Sequence, residues 1–391
     1  MKFVLAPDSF KGSADAEAVC AALAAGILRI LPDAEIVSLP MADGGEGTVS
    51  ALVSATNGRL QRHTVVDPLG RPITAQWGLL GDGETAVIEM AAASGLPLVA
   101  EEERNPLKTT TYGTGQLILQ AIAQGCRKIL LGIGGSATCD GGAGMAQALG
   151  YKFYRQDGSE IVEYMNGEWI GQVHSIDWTT RSPALQDCQI TVACDVDNVL
   201  LGPQGAVMVY APQKGATPEQ LPVLERNMGR FIDVIEKDLS RPVRNIPGAG
   251  AAGGLGAGVL AFANATLKPG VQIVLAACRF SENSQSADYI ITGEGQVDEQ
   301  TAFGKTVSGI LTAARPLAVP VIILAGGVRG ETRGLLQQGA AAVLSICPGP
   351  LSLHEAMQRT LPMVEEAMAN LASLLRIAHG RRKINQNHED L

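Results

Sequence analysis

The sequence predicts an α/β protein with two domains, and three observations support this class. Short apolar runs rich in Val and Ile alternate with amphipathic stretches, which is typical of strand-helix units that form a largely parallel sheet. Aromatic residues make up only 4% of the chain, as expected where helices pack on strands of aliphatic residues. The length of 391 residues exceeds one domain of ordinary size, so two domains are expected.

The N-terminal part of the chain predicts two strand-helix units. KFVLAPD is a predicted strand, and the next helix starts from an N-cap at Ser13, with Asp15 and Glu17 in its first turns, where the helix dipole favours acids. EIVSLPMAD predicts a second strand, and EGTVSALVSATNG predicts a helix that Gly58 ends.

The C-terminal part continues this pattern. ADYIITGEG, VPVIILAGG and AAAVLSICP predict three buried strands separated by helices. A last helix is expected from about Leu353 to His379, with a bend at Pro362.

The middle of the chain alternates differently. The segment HTVVDPLGRPITAQWGLLGDGETAVIEMA reads as antiparallel strands, with turn signals at Asp67-Pro68, at Gly70 and at GDG. We therefore expect a discontinuous domain built from both chain ends, a second domain inserted into it, and a mobile polar tail. The expected ranges are 1–63 plus 283–380 for the first domain, 64–282 for the inserted mixed α/β domain, and 381–391 for the tail.

Composition excludes several classes of function. The chain has 39 acidic and 30 basic residues, which argues against nucleic acid or an anionic membrane as a partner. The sequence shows no signal peptide or membrane-spanning run, so a soluble, cytoplasmic protein is expected. The seven cysteines form no C-x-x-C pair and the five histidines lack ligand spacing, so neither a disulfide framework nor a zinc site is predicted.

One feature recurs along the chain: a predicted strand ends in small residues and an acid follows. Ligands of open α/β sheets bind at the carboxyl ends of the strands, so these turns are candidates for one cleft. A single Asp in a glycine-rich turn is ordinary turn chemistry, but five such turns are harder to explain in that way. Their acids are Asp8, Asp43 with Glu46, Asp140, Asp195 with Asp197, and Glu294 with Asp298.

These residue types suit phosphoryl transfer. Glycine turns let backbone N–H groups approach a phosphate, and carboxylates suit Mg²⁺ bound to a nucleotide. Transfer to a hydroxyl also needs a cation near the phosphoryl group and a carboxylate to accept a proton. The available cations are Lys11, Arg71, Lys214 and Lys305. The sequence therefore predicts a kinase of a small acidic substrate.

Two familiar nucleotide motifs fit poorly. GAGAAG (248–253) matches G-x-G-x-x-G, but the residues before it make a poor strand and no acid lies about twenty residues on. EQTAFGKT (299–306) resembles a P-loop but has Glu299 in place of the first glycine. Lys305-Thr306 remains a candidate phosphate contact.

Longer motifs carry a specific resemblance. APDSFKGS, MADGGEGT, DPLGRP, TTTYGTGQLI, GIGGSATCDGGAGM, ACDVDN, PQKGA, GAGAAGGLG and TGEGQVDEQTAFGK occur in this order, and over residues 1 to about 380 the chain resembles bacterial type I glycerate kinases. The resemblance implies Mg²⁺- and ATP-dependent phosphorylation of D-glycerate in glyoxylate or sugar-acid catabolism. It implies transfer to the 2-hydroxyl, with the 3-hydroxyl as the alternative. It also implies a flavodoxin-like domain and a second α/β domain with the active site in the cleft between them.

Within that expectation, the acids and glycines receive provisional roles. Asp195 or Asp197 is expected to hold the metal. The glycine turns around Ser136 and Gly253 are expected to cradle phosphates, together with Gly134, Gly135 and Gly250. Asp140 is interpreted as the cap of a helix that begins near Gly142 and as a brace for the glycine loop.

For glycerate, one cation must pair with the carboxylate and one acid must accept the hydroxyl proton. Lys11 or Arg71 fits the first role, and Asp8 or Asp43 fits the second. The remaining expected contacts are Ser9 and Glu46 for the substrate, and Glu294, Asp298 and Lys305 for the nucleotide. Two other classes stay open from the residues alone: a nucleotide-binding oxidoreductase and a non-catalytic nucleotide sensor.

Overall fold

The computed structural model describes residues 1–298, 301 and 306–389. These residues divide into two compact units. Unit 1 comprises Met1–Ala42 and Val274–Leu391, and unit 2 comprises Asp43–Ile273. Each unit contains helices packed on a sheet, which confirms the predicted α/β class with a discontinuous domain formed by both chain ends. No helix within the described ranges combines the length and the apolar character that crossing a membrane requires.

The strands and helices are numbered along the chain. The strands are β1 (Lys2–Leu5), β2 (Glu35–Ser38), β3 (Arg59–Val66), β4 (Pro72–Leu79), β5 (Thr85–Glu89), β6 (Lys128–Gly132), β7 (Lys152–Tyr154), β8 (Ser175–Asp177), β9 (Gln189–Ala193), β10 (Thr266–Lys268), β11 (Tyr289–Val297), β12 (Val321–Val328) and β13 (Ala340–Ser345). The helices are α1 (Ala16–Ile30), α2 (Thr48–Ala55), α3 (Ala91–Ser94), α4 (Tyr112–Ala123), α5 (Ala143–Ala148), α6 (Ala206–Tyr210), α7 (Leu221–Leu239), α8 (Ala251–Phe262), α9 (Gly270–Ala277), α10 (Phe280–Ser284), α11 (Thr306–Ala314), α12 (Arg333–Gln337), α13 (Leu353–Gln358) and α14 (Thr360–Glu389).

Unit 1 is built on a five-stranded sheet in the order β13-β12-β11-β1-β2, and every pairing is parallel. Counted along the strands of this unit alone, that is the 2-1-3-4-5 order of flavodoxin-like sheets. Phe3, Leu5 and Ile291 fill its core with Val19 and Leu23 of α1. The order reverses between β1 and β11, and ligands of such sheets bind where this reversal opens a crevice at the carboxyl ends of the strands.

Unit 2 is built on a six-stranded mixed sheet in the order β10-β9-β6-β5-β4-β3. Strands β3, β4 and β5 pair antiparallel, as the alternation in the middle of the sequence predicts, whereas β5, β6, β9 and β10 are parallel. Trp77 and Ile88 are fully buried in its core. A small antiparallel pair, β7-β8, lies outside the main sheet.

The predicted domain boundaries at 63 and 283 are displaced in the structure. Residues 43–63 belong to unit 2, because α2 packs on its sheet and β3 begins at Arg59, which pairs with Leu79. The contact between α2 and β4 is close: a Cβ on Gly78 would lie 2.5 Å from Val53 and 3.4 Å from Val49. At the other end, unit 1 resumes at Val274, within α9.

Several predicted helix ends are also corrected. The cap of α1 is Asp15, whose side chain accepts from the N–H of Ala18, rather than Ser13. The turn after α2 is made by Asn57 with φ 54°, a left-handed conformation that Asn tolerates better than most residues, rather than by Gly58.

The predicted last helix is two helices, α13 and α14. Pro362 lies in the first turn of α14, where its missing N–H removes no helical hydrogen bond, and the predicted helix is interrupted at Arg359 instead. Helix α14 continues to Glu389, so most of the predicted tail 381–391 is helical.

The start of α8 depends on glycine. Gly253 has φ +68°, and a Cβ at this position would overlap the carbonyl oxygen of Thr138. Gly83, in the turn between β4 and β5, also has a positive φ, +72°, but a Cβ there would meet nothing within 4 Å. Substituting each glycine by alanine and comparing the two losses of stability therefore separates the cost of backbone strain from the cost of a steric clash.

We expect Gly253→Ala to lower the free energy of unfolding of unit 2 by at least about 3 kcal/mol, since backbone strain and displacement of Thr138 add together. Gly83→Ala, the matched control, should cost about 1 kcal/mol from strain alone. Urea denaturation followed by circular dichroism measures both. Equal losses for the two variants would contradict the close approach of Gly253 to Thr138.

Candidate active site

Asp8 lies at the reversal point of the unit 1 sheet. It follows β1 and continues the pairing of that strand with β11, because its N–H donates to Gly293 O at 2.8 Å. One carboxylate oxygen, Oδ2, accepts from Thr306 Oγ1 at 2.6 Å, and Oδ1 accepts from the N–H of Ser9 at 2.6 Å. The carboxylate is therefore held in a defined orientation at the carboxyl end of β1.

Further predicted residues share this edge. Glu294 belongs to β11, and a Cβ on the next residue, Gly295, would lie 3.5 Å from the backbone nitrogen of Lys11. The loop that carries Ser9 and Lys11 therefore passes over the end of β11, with the Lys11 side chain exposed. Unit 1 brings together Asp8, Ser9, Lys11 and Glu294.

Two more predicted residues lie further along the chain. Asp298 follows β11, and its Oδ1 accepts from the N–H of Thr301 at 3.2 Å. Lys305 and Glu299 lie outside the described residues.

In unit 2, the turn after Ala42 lies against the ends of two parallel strands. A Cβ on Gly44 would overlap Ala193 at the end of β9, and a Cβ on Gly132 at the end of β6 would overlap Gly44 O. This close packing requires glycine at both positions. It carries Asp43 and Glu46 to the carboxyl edge of the unit 2 sheet, with the Glu46 side chain exposed.

Asp43 and Asp195 form a pair of neighbouring carboxylates. Asp195 Oδ1 accepts from the N–H of Gly270 at 2.9 Å. Although much of its side chain is accessible, surrounding atoms partly desolvate the carboxylate and this raises the pKa of Asp195; the negative charge of Asp43 raises it further, against the opposite effect of the Gly270 hydrogen bond. Asp197 is exposed two residues further along the same loop.

A third carboxylate in this region was not predicted. Glu89 ends β5, and its Oε1 accepts from the N–H of Val49 at 2.8 Å at the start of α2. Burial raises the pKa of Glu89, and the charge of Glu46 acts in the same direction. The same signal that identified the other acids, an acid following the buried run AVI, could have found it.

The glycine loop, Gly134–Ser136, adjoins this carboxylate pair. Gly134 and Gly135 are exposed, and a Cβ on Gly134 would lie 3.4 Å from Gly45 Cα. Ser136 is only 8% exposed and its Oγ accepts from Lys214 Nζ at 2.6 Å. Exposed glycines next to two carboxylates are an arrangement that can receive a phosphate with its cation.

Asp140 is fully buried behind the glycine loop. Its carboxylate accepts from the backbone N–H groups of Gly142 at 3.0 Å and Gly144 at 3.1 Å, which confirms the predicted cap of the helix that begins there, α5. It also accepts from the N–H of Thr111 at 2.8 Å and from its hydroxyl at 2.7 Å. Burial raises the pKa of Asp140, and these hydrogen bonds oppose that shift.

Two glycines predicted to cradle phosphates pack closely against neighbouring backbone. Gly250 donates its N–H to Asn198 O at 2.9 Å, and a Cβ there would overlap Val199 O. Gly253 is buried against Thr138. Both glycines allow neighbouring loops to pack closely, and their predicted contact with phosphates stays a prediction.

Arg71 is also less available than the sequence suggests. Its guanidinium donates to Asp67 Oδ2 at 2.7 Å and to both oxygens of Glu103 at 3.1 Å. Hydrogen bonds to Asp67 first, and then to Glu103, raise the pKa of Arg71. The arginine thus already pairs with two carboxylates within unit 2, which disfavours it as a clamp for a substrate carboxylate.

Within residues 1–298, 301 and 306–389, no group of three or more His, Cys, Asp and Glu side chains has the arrangement of a protein-built metal site. A metal carried by a nucleotide has a smaller requirement, because Mg²⁺ is commonly held by one or two carboxylates plus phosphate oxygens. The mutual repulsion of Asp43 and Asp195 is what such a cation would relieve.

Comparison with known proteins identifies the family. A profile of the glycerate kinase family matches residues 3–376. The chain belongs to the glycerate kinase family. A protein named glycerate kinase from Bacillus subtilis (strain 168) is 47% identical over 97% of this chain and 98% of its own length. A protein named glycerate 2-kinase from Escherichia coli (strain K12) is 45% identical over 96% of this chain and 98% of its own.

A solved structure agrees with this assignment. The crystal structure of a protein described as a candidate glycerate kinase 2 from Salmonella typhimurium LT2 matches with a TM-score of 0.88 and 43% identity, and covers 97% of this chain and 99% of that one. The predicted family is confirmed, and with it the predicted enzyme class: an ATP-dependent kinase with an alcohol group as acceptor. The oxidoreductase and sensor alternatives are therefore wrong.

Proposed function

We propose that this glycerate kinase transfers the γ-phosphoryl group of ATP to the 2-hydroxyl of D-glycerate and uses Mg²⁺. The observation that carries the proposal is the pair Asp43 and Asp195 beside the exposed glycines of the Gly134–Ser136 loop. The similarity to a protein named glycerate 2-kinase favours the 2-hydroxyl over the 3-hydroxyl.

For the metal, the proposed ligands are Asp195 and Asp43. Mg²⁺, when bound, would neutralise charge on the nucleotide phosphates. The N–H of Gly270 donates to one oxygen of the Asp195 carboxylate and orients it, and the other oxygen is proposed to bind the metal. Asp197, also exposed on the same loop, accepts no such hydrogen bond from the residues that the structure describes, and Glu46 is assigned to substrate contact.

For the acceptor, the proposed groups come from unit 1. Asp8 accepts the proton of the reacting hydroxyl, and hydrogen bonds from Thr306 and Ser9 keep its orientation. Lys11 pairs with the carboxylate of glycerate, since Arg71 is engaged by Asp67 and Glu103. Ser9 contacts the substrate.

Other predicted residues keep their assignments as proposals. Glu294 and Asp298 are assigned to the nucleotide. Lys305, outside the described residues, is proposed to neutralise charge on the transferring phosphoryl group.

The reaction can be tested directly with the purified chain. ADP release should depend on both D-glycerate and a divalent cation, and L-glycerate serves as the matched substrate control. Phosphorus NMR identifies the product, because a phosphate on C2 couples to one C–H proton and a phosphate on C3 couples to two. ADP release that is the same without glycerate would contradict the function, and coupling to two protons would assign the 3-hydroxyl instead.

We expect Asp195→Asn to raise the Mg²⁺ concentration needed for half-maximal activity by about 10-fold or more, since one charged ligand is lost. Asp197→Asn, on the same loop, should change it less. Steady-state rates over a Mg²⁺ series at saturating ATP measure both. A normal metal requirement in Asp195→Asn would remove this residue from the metal site.

Asp8→Asn and Lys11→Met should affect different kinetic constants. Loss of the base should lower kcat by about 100-fold or more, whereas loss of the carboxylate partner should mainly raise KM for glycerate. Asp33→Asn, which changes an exposed loop acid of unit 1, is the control. Unchanged constants in both test variants would place the glycerate site elsewhere.

A further inference from the structure

Lys214 is an unusual residue in unit 2. Among residues 1–298, 301 and 306–379 it is the only buried lysine or arginine, with 2% of its surface exposed. Lysine is almost never fully buried unless it is paired, because an ammonium group loses much solvation energy in the interior. Burial lowers the pKa of Lys214, and the neighbouring Cys139 and Asp140 act in the opposite direction.

The ammonium group contacts two points on one segment. Lys214 Nζ donates to Ser136 Oγ at 2.6 Å and to Thr138 O at 2.8 Å. It takes part in no ion pair within the part of the chain that the structure describes. The lysine is therefore held by a hydroxyl and a carbonyl of the segment that immediately follows the exposed glycines.

The glycine loop needs such a support. Gly134 and Gly135 are exposed, and Gly135 has φ +72°. Glycine loses more conformational freedom than any other residue when it is ordered, so a loop that binds a ligand through glycines binds more tightly if it is already fixed. Ser136 is the junction between these exposed glycines and the buried lysine.

We propose that Lys214 is a positioning residue for nucleotide binding: through Ser136 and Thr138 it fixes the Gly134–Ser136 loop in the conformation that receives the phosphates of ATP. The inference rests on the proposed function in that it takes ATP as the ligand of this loop.

Calorimetric titration of ATP with Mg²⁺ into the full-length chain tests this without requiring turnover. Lys214→Met keeps most of the side-chain volume but removes the charge and its donors. Its Kd for ATP should rise about 10- to 100-fold, as for lost hydrogen bonds to a charged group. Lys152→Met, which removes a half-exposed lysine of the same unit, should bind like the wild type. An unchanged Kd in Lys214→Met would overturn the proposal.

A double-mutant cycle tests whether Lys214 acts through Ser136. Ser136→Ala should itself weaken ATP binding, and adding Lys214→Met should then cost less than it does in the wild-type background. Fully additive losses would overturn the proposal. If Lys214→Met fails to fold, the ATP affinity of Ser136→Ala is the test. An affinity equal to that of the wild type would then contradict the proposal.

Steady-state kinetics separate this role from a general structural one. Lys214→Met should raise KM for ATP and leave KM for glycerate unchanged, since a general loss of structure would affect both.

Failure of the two proposals can also be distinguished. A wild-type chain that binds ATP but does not phosphorylate glycerate contradicts the proposed function and leaves the binding test valid, whereas a wild type that binds no ATP overturns the role of Lys214.

Discussion

The candidate site in unit 2 depends on one buried carboxylate. Asp140 accepts four hydrogen bonds, two from Thr111 at the start of α4 and two from the first residues of α5. Burying a carboxylate away from water costs free energy unless its oxygens accept hydrogen bonds. Here the oxygens of Asp140 accept from N–H groups that the start of a helix leaves unpaired. Because Asp140 lies four residues after Ser136, it joins the end of the glycine loop to two helices.

The chemistry-bearing residues are placed by close backbone packing around this point. Gly44 and Gly132 let the Asp43 turn rest on the ends of β6 and β9, and Gly253 lets the start of α8 rest on Thr138. Glycine at these positions serves the approach of one loop to another. Gly134 and Gly135, by contrast, are exposed and open to a ligand. Many of the glycines in the motifs are therefore the framework of the site rather than its binding surface.

The sequence predicted the architecture well and the side-chain partners poorly. Val- and Ile-rich runs located the five strands of unit 1, and the alternation around Trp77 predicted the antiparallel strands of unit 2, because both patterns follow from local periodicity. The boundary at 63 was wrong because the packing of α2 on β4 is a tertiary contact. Periodicity could not reveal that Arg71 pairs with Glu103, or that Gly253 is buried against Thr138, since partners distant in sequence decide both.

The central claim, that Asp140 supports the loops of this site, is tested most directly by the free energy of unfolding of Asp140→Asn. The amide keeps the shape of the carboxylate but removes its charge and turns an NH₂ group towards backbone donors. Urea denaturation followed by circular dichroism should show a loss of about 3 kcal/mol or more for unit 2. Asp157→Asn, in an exposed turn of the same unit, should lose less than about 1 kcal/mol. An Asp140→Asn protein as stable as the wild type would contradict the account.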